Sequence, residues 1–336
     1  MTVTKDLFPE VPVATRRATM NGKPVHTVPA QSVINFKSAF SHKLLCDGLT
    51  FTTGSACAYS CSFCYVPDLM RKSPHMKGLN GAPLESVVIR REGAVAALRR
   101  QLVWGNGQPA YRDPADRRVI YASPLVDVAA NLELVRETIA ACQVILELTH
   151  WQIRLLSKSN LLPHVAQGIP EEYKDRVIYG VSTGTLDDDL ARSFEAGTPR
   201  VSKRLQSLHW LQDHGYRTYG MICPSLPQGD YAVFAASMAK AVRVDRCEHV
   251  WGEVINARGE SMTRTEAALR GGGHHQAADR FVAVSRDKVQ WEDYARATFE
   301  AHCAVIPPEK LRFLQYVTKE SRPWWAERQG VGAVLL

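Results

Sequence analysis

"CAYSCSFCY" occupies residues 57 to 65 and gathers three thiols, Cys57, Cys61 and Cys64, in one loop at C-x3-C-x2-C spacing. Phe63 stands just before the last cysteine and Tyr65 just after it. Three thiolates can hold a metal centre while leaving one position open, and a [4Fe–4S] cluster bound this way keeps one iron for a substrate or cofactor. A structural zinc site needs a closed tetrahedron. His42 and His75 could supply its fourth ligand, although neither sits at a finger spacing. Three unrelated core cysteines form the third reading. The open cluster is the one that accounts for three thiols and no fourth.

Outward from this loop, short β-branched or aromatic runs alternate with helical patterns. Strands are predicted at 49–54, 118–123, 152–159, 176–184, 217–224 and 249–256. Helices are predicted at 92–102, 131–146, 200–215 and 231–242; in the second, Leu132, Val135, Ile139 and Cys142 recur at helical spacing. Six strands alternating with helices imply a parallel α/β sheet covered by helices, with chemistry at the strand C-termini. The cysteine loop leaves the first strand and so belongs at that end. Residues 1 to about 40 read as an extended arm, and 270–280, "RGGGHHQAADR", as a flexible glycine-rich stretch before a helix at 291–303.

A chain of 336 residues with 45% hydrophobic and 22% charged residues suits a globular protein with a large core. The first residues, "MTVTKDLFPEVPVATRR", lack the apolar run of a signal peptide, and no stretch reaches transmembrane length. A cytoplasmic protein without a membrane partner is the expectation. Eight cysteines then do not read as a disulfide framework. Cys46, Cys142, Cys223, Cys247 and Cys303 are scattered, each by default a small buried residue. The net charge of +7 permits an anionic partner such as nucleic acid.

The three-cysteine loop after the first strand of a β/α chain resembles the radical S-adenosylmethionine (SAM) superfamily. "CSFCY", "LLSKSNLL", "YGVSTGTLDDDLARSFEAGTPRVSKRLQSL" and "CPSLPQ" further resemble its spore photoproduct lyase branch. The resemblance covers roughly residues 45 to 260. It implies a partial (β/α)6 barrel, with an N-terminal arm over 1–44 and a C-terminal extension over 261–336 that covers or flanks the active end. It also implies a [4Fe–4S] cluster on Cys57, Cys61 and Cys64 whose open iron binds SAM. Reductive cleavage of SAM then yields a 5′-deoxyadenosyl radical that abstracts hydrogen from substrate, with electrons from a flavodoxin- or ferredoxin-type donor.

Residue roles follow from the same resemblance. Ser123 would contact the SAM amino group, Lys158 its carboxylate, and Ser182 the ribose and methionine portions. Glu195 and Arg204 match the "LEP…RL" pattern of the cofactor site, with Ala196 where proline is usual. The lyase's thiol hydrogen donor falls on Tyr121 here, and Phe63 replaces one of the two tyrosines that flank its last cluster cysteine. These departures argue against repair of spore photoproduct. Tyr65 and Tyr121 remain relay candidates, and Cys223 a replacement thiol.

The sixth strand runs into "EVINARGES", where Glu253, Asn256 and Arg258 would meet a polar substrate. The tail interleaves Lys310, Arg312, Lys319, Arg322 and Arg328 with Phe313, Tyr316, Trp324 and Trp325, a pattern that suits either base stacking or packing over the sheet. The functional expectation is hydrogen abstraction from a nucleic acid or nucleotide-like substrate. A peptide or small metabolite is the alternative substrate. A zinc-stabilised nucleic-acid-binding protein is the non-enzymatic reading.

Overall fold

Over the described residues of the computed structural model, the alternation of strands and helices becomes one nine-stranded sheet and one four-stranded sheet. The structure describes residues 19–70, 86–122, 124–256 and 259–336. The large sheet begins with β3 (Ile34–Asn35) and β4 (Leu49–Phe51), which pair antiparallel. From β4 onward every pairing is parallel, through β7 (Val119–Ala122), β8 (Gln152–Ser157), β9 (Val177–Ser182), β10 (Arg217–Ser225) and β11 (Val250–Val254). These strands match the six predicted runs to within a few residues. Two more, β12 (Leu311–Gln315) and β13 (Ala333–Leu335), extend the sheet in parallel.

Alternation along the strands sorts their side chains onto two faces. Ile153 and Leu155 of β8, with Val177, Tyr179 and Val181 of β9, join the main hydrophobic core. That core includes α3 (Leu132–Leu148), α6 (Val201–Asp213) and α7 (Tyr231–Val242). Each begins with a turn-favouring or basic residue, and two have side-chain caps: Asn131 accepts the Leu134 N–H at 2.9 Å, and Asp230 the Val233 N–H at 2.9 Å. The buried stripe of α3 runs through Leu134, Val135, Thr138, Ala141, Cys142 and Ile145. Leu132 is exposed, because it is the first residue after the cap and precedes the packed turns, and Ile139 is only half-buried.

The opposite face carries a second cluster: Tyr121, Ile178, Tyr219, Met221, Trp251 and Leu314. It is filled by the segment from Ser38 to Cys46 rather than by a helix layer. Leu45 and Cys46 are buried there, Phe40 stacks on Tyr121 with centroids 5.5 Å apart, and Arg154 donates to the Leu44 and Leu45 carbonyls at 3.1 and 2.8 Å.

The supposed extended arm is, over its described part, paired strand. β2 (Lys23–Pro29) pairs antiparallel with β1 (Thr19–Met20) and parallel with β6 (Val88–Glu92), which in turn pairs with β5 (Gly54–Ala56). The cysteine loop therefore does not leave the first strand directly. The Thr52 hydroxyl donates to the Gly54 carbonyl at 2.8 Å, turning the chain from the large sheet into β5 before Cys57.

The glycine-rich stretch is likewise ordered. α8 (Glu260–Gly271) and α9 (His275–Arg286) meet across it, and α10 (Lys288–Cys303) follows. Gly273, at φ 83°, makes the turn, a conformation glycine adopts without steric cost. The tail packs rather than projects. Trp325, in α11 (Arg322–Ala326), is fully buried and stacks on Phe313 at 5.9 Å, while Arg328 covers Trp324 at 3.6 Å. Among the described residues, no helix is long and apolar enough to cross a membrane.

Candidate functional site

The three cysteines line one cavity of about 470 Å³ at the C-terminal ends of β7, β8 and β9, a size typical of small-molecule sites. Ser60 adopts a left-handed backbone, φ 57°, within the cysteine loop. Neighbouring elements pin the loop from two directions. After α5 (Asp188–Phe194), the Phe194 carbonyl accepts the Ser62 N–H at 2.9 Å, and the Gly197 N–H donates to Tyr59 O at 2.9 Å. A Cβ on residue 197 would stand 2.6 Å from that oxygen, so glycine permits the approach. From the C-terminal extension, Arg264 on α8 donates to the Ser62 and Cys64 carbonyls at 3.2 and 3.3 Å. Thr265 shares a hydrogen bond with the Ser62 hydroxyl at 3.1 Å.

Among the described residues, no three Cys, His, Asp or Glu side chains converge as a group around a single ion. A multi-iron cluster takes one thiolate at each of several corners, and three thiols distributed around one cavity fit that donor set. Burial, reinforced by the Asp127 charge, pushes the Cys57 thiol up to about 12; burial also raises Cys61 and Cys64. Metal coordination removes such protons outright. His42 does not line the cavity, and His75 lies outside the described residues.

Lys158, one residue beyond β8, reaches into the cavity over the Phe63 ring at 5.7 Å. Its ammonium donates to Ser182 Oγ at 3.0 Å and to the Cys223 carbonyl at 3.2 Å, and pairs with Glu195 Oε1 at 2.7 Å. Ser182, the last residue of β9, also lines the cavity and donates its hydroxyl to the same Cys223 carbonyl at 2.9 Å. Behind them lies a buried ion pair. Glu195 and Arg204 are each 1% exposed, with Oε2 and Nη1 2.5 Å apart. Arg204 also donates to the Pro199 carbonyl at 2.8 Å and to the Thr198 hydroxyl. Burial alone would raise the Glu195 carboxyl, but the charges of Lys158 and Arg204 outweigh it and hold it below the ordinary value. Neither member of the pair lines the cavity; they anchor Lys158 from behind.

Tyr65 and Tyr121 also line the cavity. The Tyr65 hydroxyl donates to the Pro124 carbonyl and the residue as a whole is 47% exposed, whereas Tyr121 is buried. Cys223, on β10, and Glu253, on β11, do not line the cavity; the thiol donates to Glu253 Oε2 at 3.5 Å. Asn256 lies beyond β11 and does not line the cavity. Ser123 and Arg258 lie outside the described residues.

Sequence reasoning passed over three residues. Asp127 lines the cavity and accepts the Lys158 N–H and the Ser157 hydroxyl, both at 2.7 Å, joining the loop after β7 to the end of β8. Its signal was a lone acid in the apolar run "PLVDVAA" just past a predicted strand. Arg264 and Lys43 carried no signal, since their partners lie 200 and 210 residues away.

No protein-family model matches the chain. It is 24% identical over 234 residues to the uncharacterized protein ORF301 of Acidianus two-tailed virus, covering 68% of this chain and 73% of that one. Among solved structures it is similar to spore photoproduct lyase complexed with dinucleoside spore photoproduct, at TM-score 0.50 and 12% identity. A variant of that enzyme with bound AdoMet and the same dinucleoside gives the same values. A third lyase structure gives TM-score 0.51 at 12% identity. These matches cover 73% of this chain and 66% of the lyase chain, just under two thirds of its length. The resemblance read from the sequence thus extends to three dimensions: over 73% of its length, the chain has the fold of spore photoproduct lyase, a radical SAM enzyme.

Proposed function

We propose that this chain is a radical SAM enzyme built on a partial (β/α)6 barrel spanning roughly residues 45 to 260, flanked by the arm and the C-terminal extension. The observation that carries this reading is a shared cavity: Cys57, Cys61 and Cys64 line it together with Lys158 and Ser182, at the strand ends of a lyase-like sheet. Cys57, Cys61 and Cys64 would hold a [4Fe–4S] cluster. When bound, the reduced cluster with SAM at its open iron supplies a 5′-deoxyadenosyl radical for hydrogen abstraction.

The chain's own contribution is binding and orientation. Lys158 offers its ammonium to an anionic group, and Ser182 a hydroxyl. Asp127 holds the Lys158 backbone N–H and Glu195 pairs with the ammonium, which fixes where the side chain sits. The three acceptors around Lys158 already use its three N–H groups, so an incoming carboxylate takes the place of one of them. A nucleic acid or nucleotide-like substrate is supported by the net charge of +7 and by the dinucleoside bound in the lyase structures. The electrons come from a flavodoxin- or ferredoxin-type donor.

Anaerobic reconstitution with iron and sulfide tests the reading. The wild type is expected to take up a [4Fe–4S] cluster, visible by electron paramagnetic resonance after reduction, and the Cys61→Ser variant to lose it. A protein that purifies with zinc and refuses iron would return the loop to a structural role.

A further inference from the structure

The wall of the cavity is unevenly charged. Among the described residues that line it, three carry a positive charge, Lys23, Lys158 and Arg264, and one a negative charge, Asp127. The cations arrive from different parts of the chain: β2, the end of β8, and α8 of the C-terminal extension. Lys158 is pinned by Glu195 and by the Cys223 carbonyl. Asp127 is engaged by the Lys158 N–H and the Ser157 hydroxyl. Arg264 meets the cysteine loop itself, through the Ser62 and Cys64 carbonyls, and the second of these belongs to one of the three cysteines.

The helix that carries Arg264 is held independently of those bonds. Leu269 is fully buried in the main core, and Thr265, also fully buried, shares a hydrogen bond with the Ser62 hydroxyl. Arg270 pairs with Asp279 of α9 at 2.9 Å. The guanidinium is thus presented to the loop by a fixed helix, and it is half-buried, where salt screens a charge poorly. Two neutral carbonyls do not require a permanent cation, since an uncharged amide would also donate to them. What the guanidinium adds is a positive charge that no pH change removes.

We infer that Arg264 sets the reduction potential of the cluster, acting through its charge from the C-terminal extension. The inference rests on the proposed function. When the cluster is reduced, one electron leaves the flavodoxin- or ferredoxin-type donor, which is oxidised, and enters a centre already held by three thiolates. Negative charge therefore accumulates in the cavity. A fixed cation beside Cys64 stabilises the reduced form over the oxidised one and raises the potential. At an effective dielectric of about 20, a unit charge about 10 Å away shifts such an equilibrium about tenfold.

The test is a potentiometric titration of the reconstituted full-length protein without oxygen, with dithionite and redox mediators, reading the reduced cluster by electron paramagnetic resonance. Arg264→Gln keeps a donor for the carbonyls and removes the charge. At the wild-type midpoint its ratio of reduced to oxidised cluster is expected to be about tenfold lower, a shift of about 59 mV for one electron. Arg264→Met, neutral as well, is expected to shift the same way, and Arg264→Lys to stay within about twofold of wild type. Arg270→Gln, on the same helix but away from the cavity, controls for net charge and should leave the ratio unchanged. Iron and sulfide analysis establishes that each variant is loaded. A wild-type potential in the loaded neutral variants, a fall in Arg264→Lys equal to that in Arg264→Gln, or an equal fall in Arg270→Gln would overturn the inference. If neither neutral variant holds a cluster, Arg264 serves assembly rather than potential, and the inference falls as well. A wild type that takes up no cluster removes the proposed function together with this inference, whereas a loaded wild type with unshifted neutral variants removes this inference alone.

Discussion

The Lys158 ammonium lies 2.7 Å from the Glu195 carboxylate, whose second oxygen holds Arg204 at 2.5 Å with both side chains of that inner pair 1% exposed. Glu195 thus balances two cations, one of which enters the cavity. Glu195→Ala would strand both. The expected loss of stability is about 3–5 kcal/mol, the usual cost of breaking a buried pair. Urea unfolding measures it. A loss below about 1 kcal/mol, the size of an exposed pair, would show that Arg204 and Lys158 find other partners.

Gly184 sits where the chain leaves β9, and a Cβ there would stand 1.6 Å from the Pro224 carbonyl oxygen. That neighbour is backbone and cannot rotate away. Gly184→Ala is expected to destabilise beyond the ~1–3 kcal/mol of ordinary overpacking. Gly105→Ala, with nothing within 4 Å, should stay within about 0.5 kcal/mol of wild type. Thermal unfolding of the two variants separates them, and equal melting temperatures would contradict the packing described.

Arg264 fastens α8 to the cysteine loop through the Ser62 and Cys64 carbonyls. Hydrogen bonds from a charged donor contribute about 1.5–3 kcal/mol. Arg264→Met should therefore raise amide exchange across residues 57–65 by about tenfold or more, while the central strand β9 keeps its protection. Unchanged exchange in the loop would mean that the Phe194 and Gly197 contacts suffice to hold it.

His249 packs edge-on against Trp251 at 5.6 Å. Burial, with Arg312 and Arg154 adding, holds its imidazole down to about 4 from the ordinary 6.5. The unfolded chain takes up the proton near pH 6.5, the folded chain only near 4. The stability linked to neutral His249 is therefore fully present above pH 6.5 and declines as the pH falls toward about 4. The lowered carboxyl of Glu195 works in the same direction at lower pH. His249→Gln should flatten the urea midpoint between pH 6.5 and about 4, and an unchanged slope would contradict this.

Much of the parallel sheet was legible because Ile153, Leu155, Val177 and Val181 are buried in short β-branched runs bounded by turn residues. β12 and β13 were not. Their residues lie among lysines and arginines that read as a basic tail, yet Lys310 bonds the Val244 carbonyl, Arg328 covers Trp324, and Phe313 and Trp325 pack inward. The arm concealed β2 because its longer partner, β6, lies more than sixty residues downstream; the Asn21–Gly22 turn that joins it to the short β1 was a local signal the reading missed. At the site, the cysteines announced themselves by spacing, and Lys158 by the resemblance carried by "LLSKSNLL". Lys43 and Arg264 could not, because each acquires its role from a partner some two hundred residues away.

The most direct measurement of the central claim is 5′-deoxyadenosine released from SAM by the reconstituted, dithionite-reduced protein without oxygen. The account predicts product that requires Cys57, Cys61 and Cys64 and rises when DNA or RNA is added. A fully iron-loaded protein that releases none, with or without nucleic acid, would contradict it.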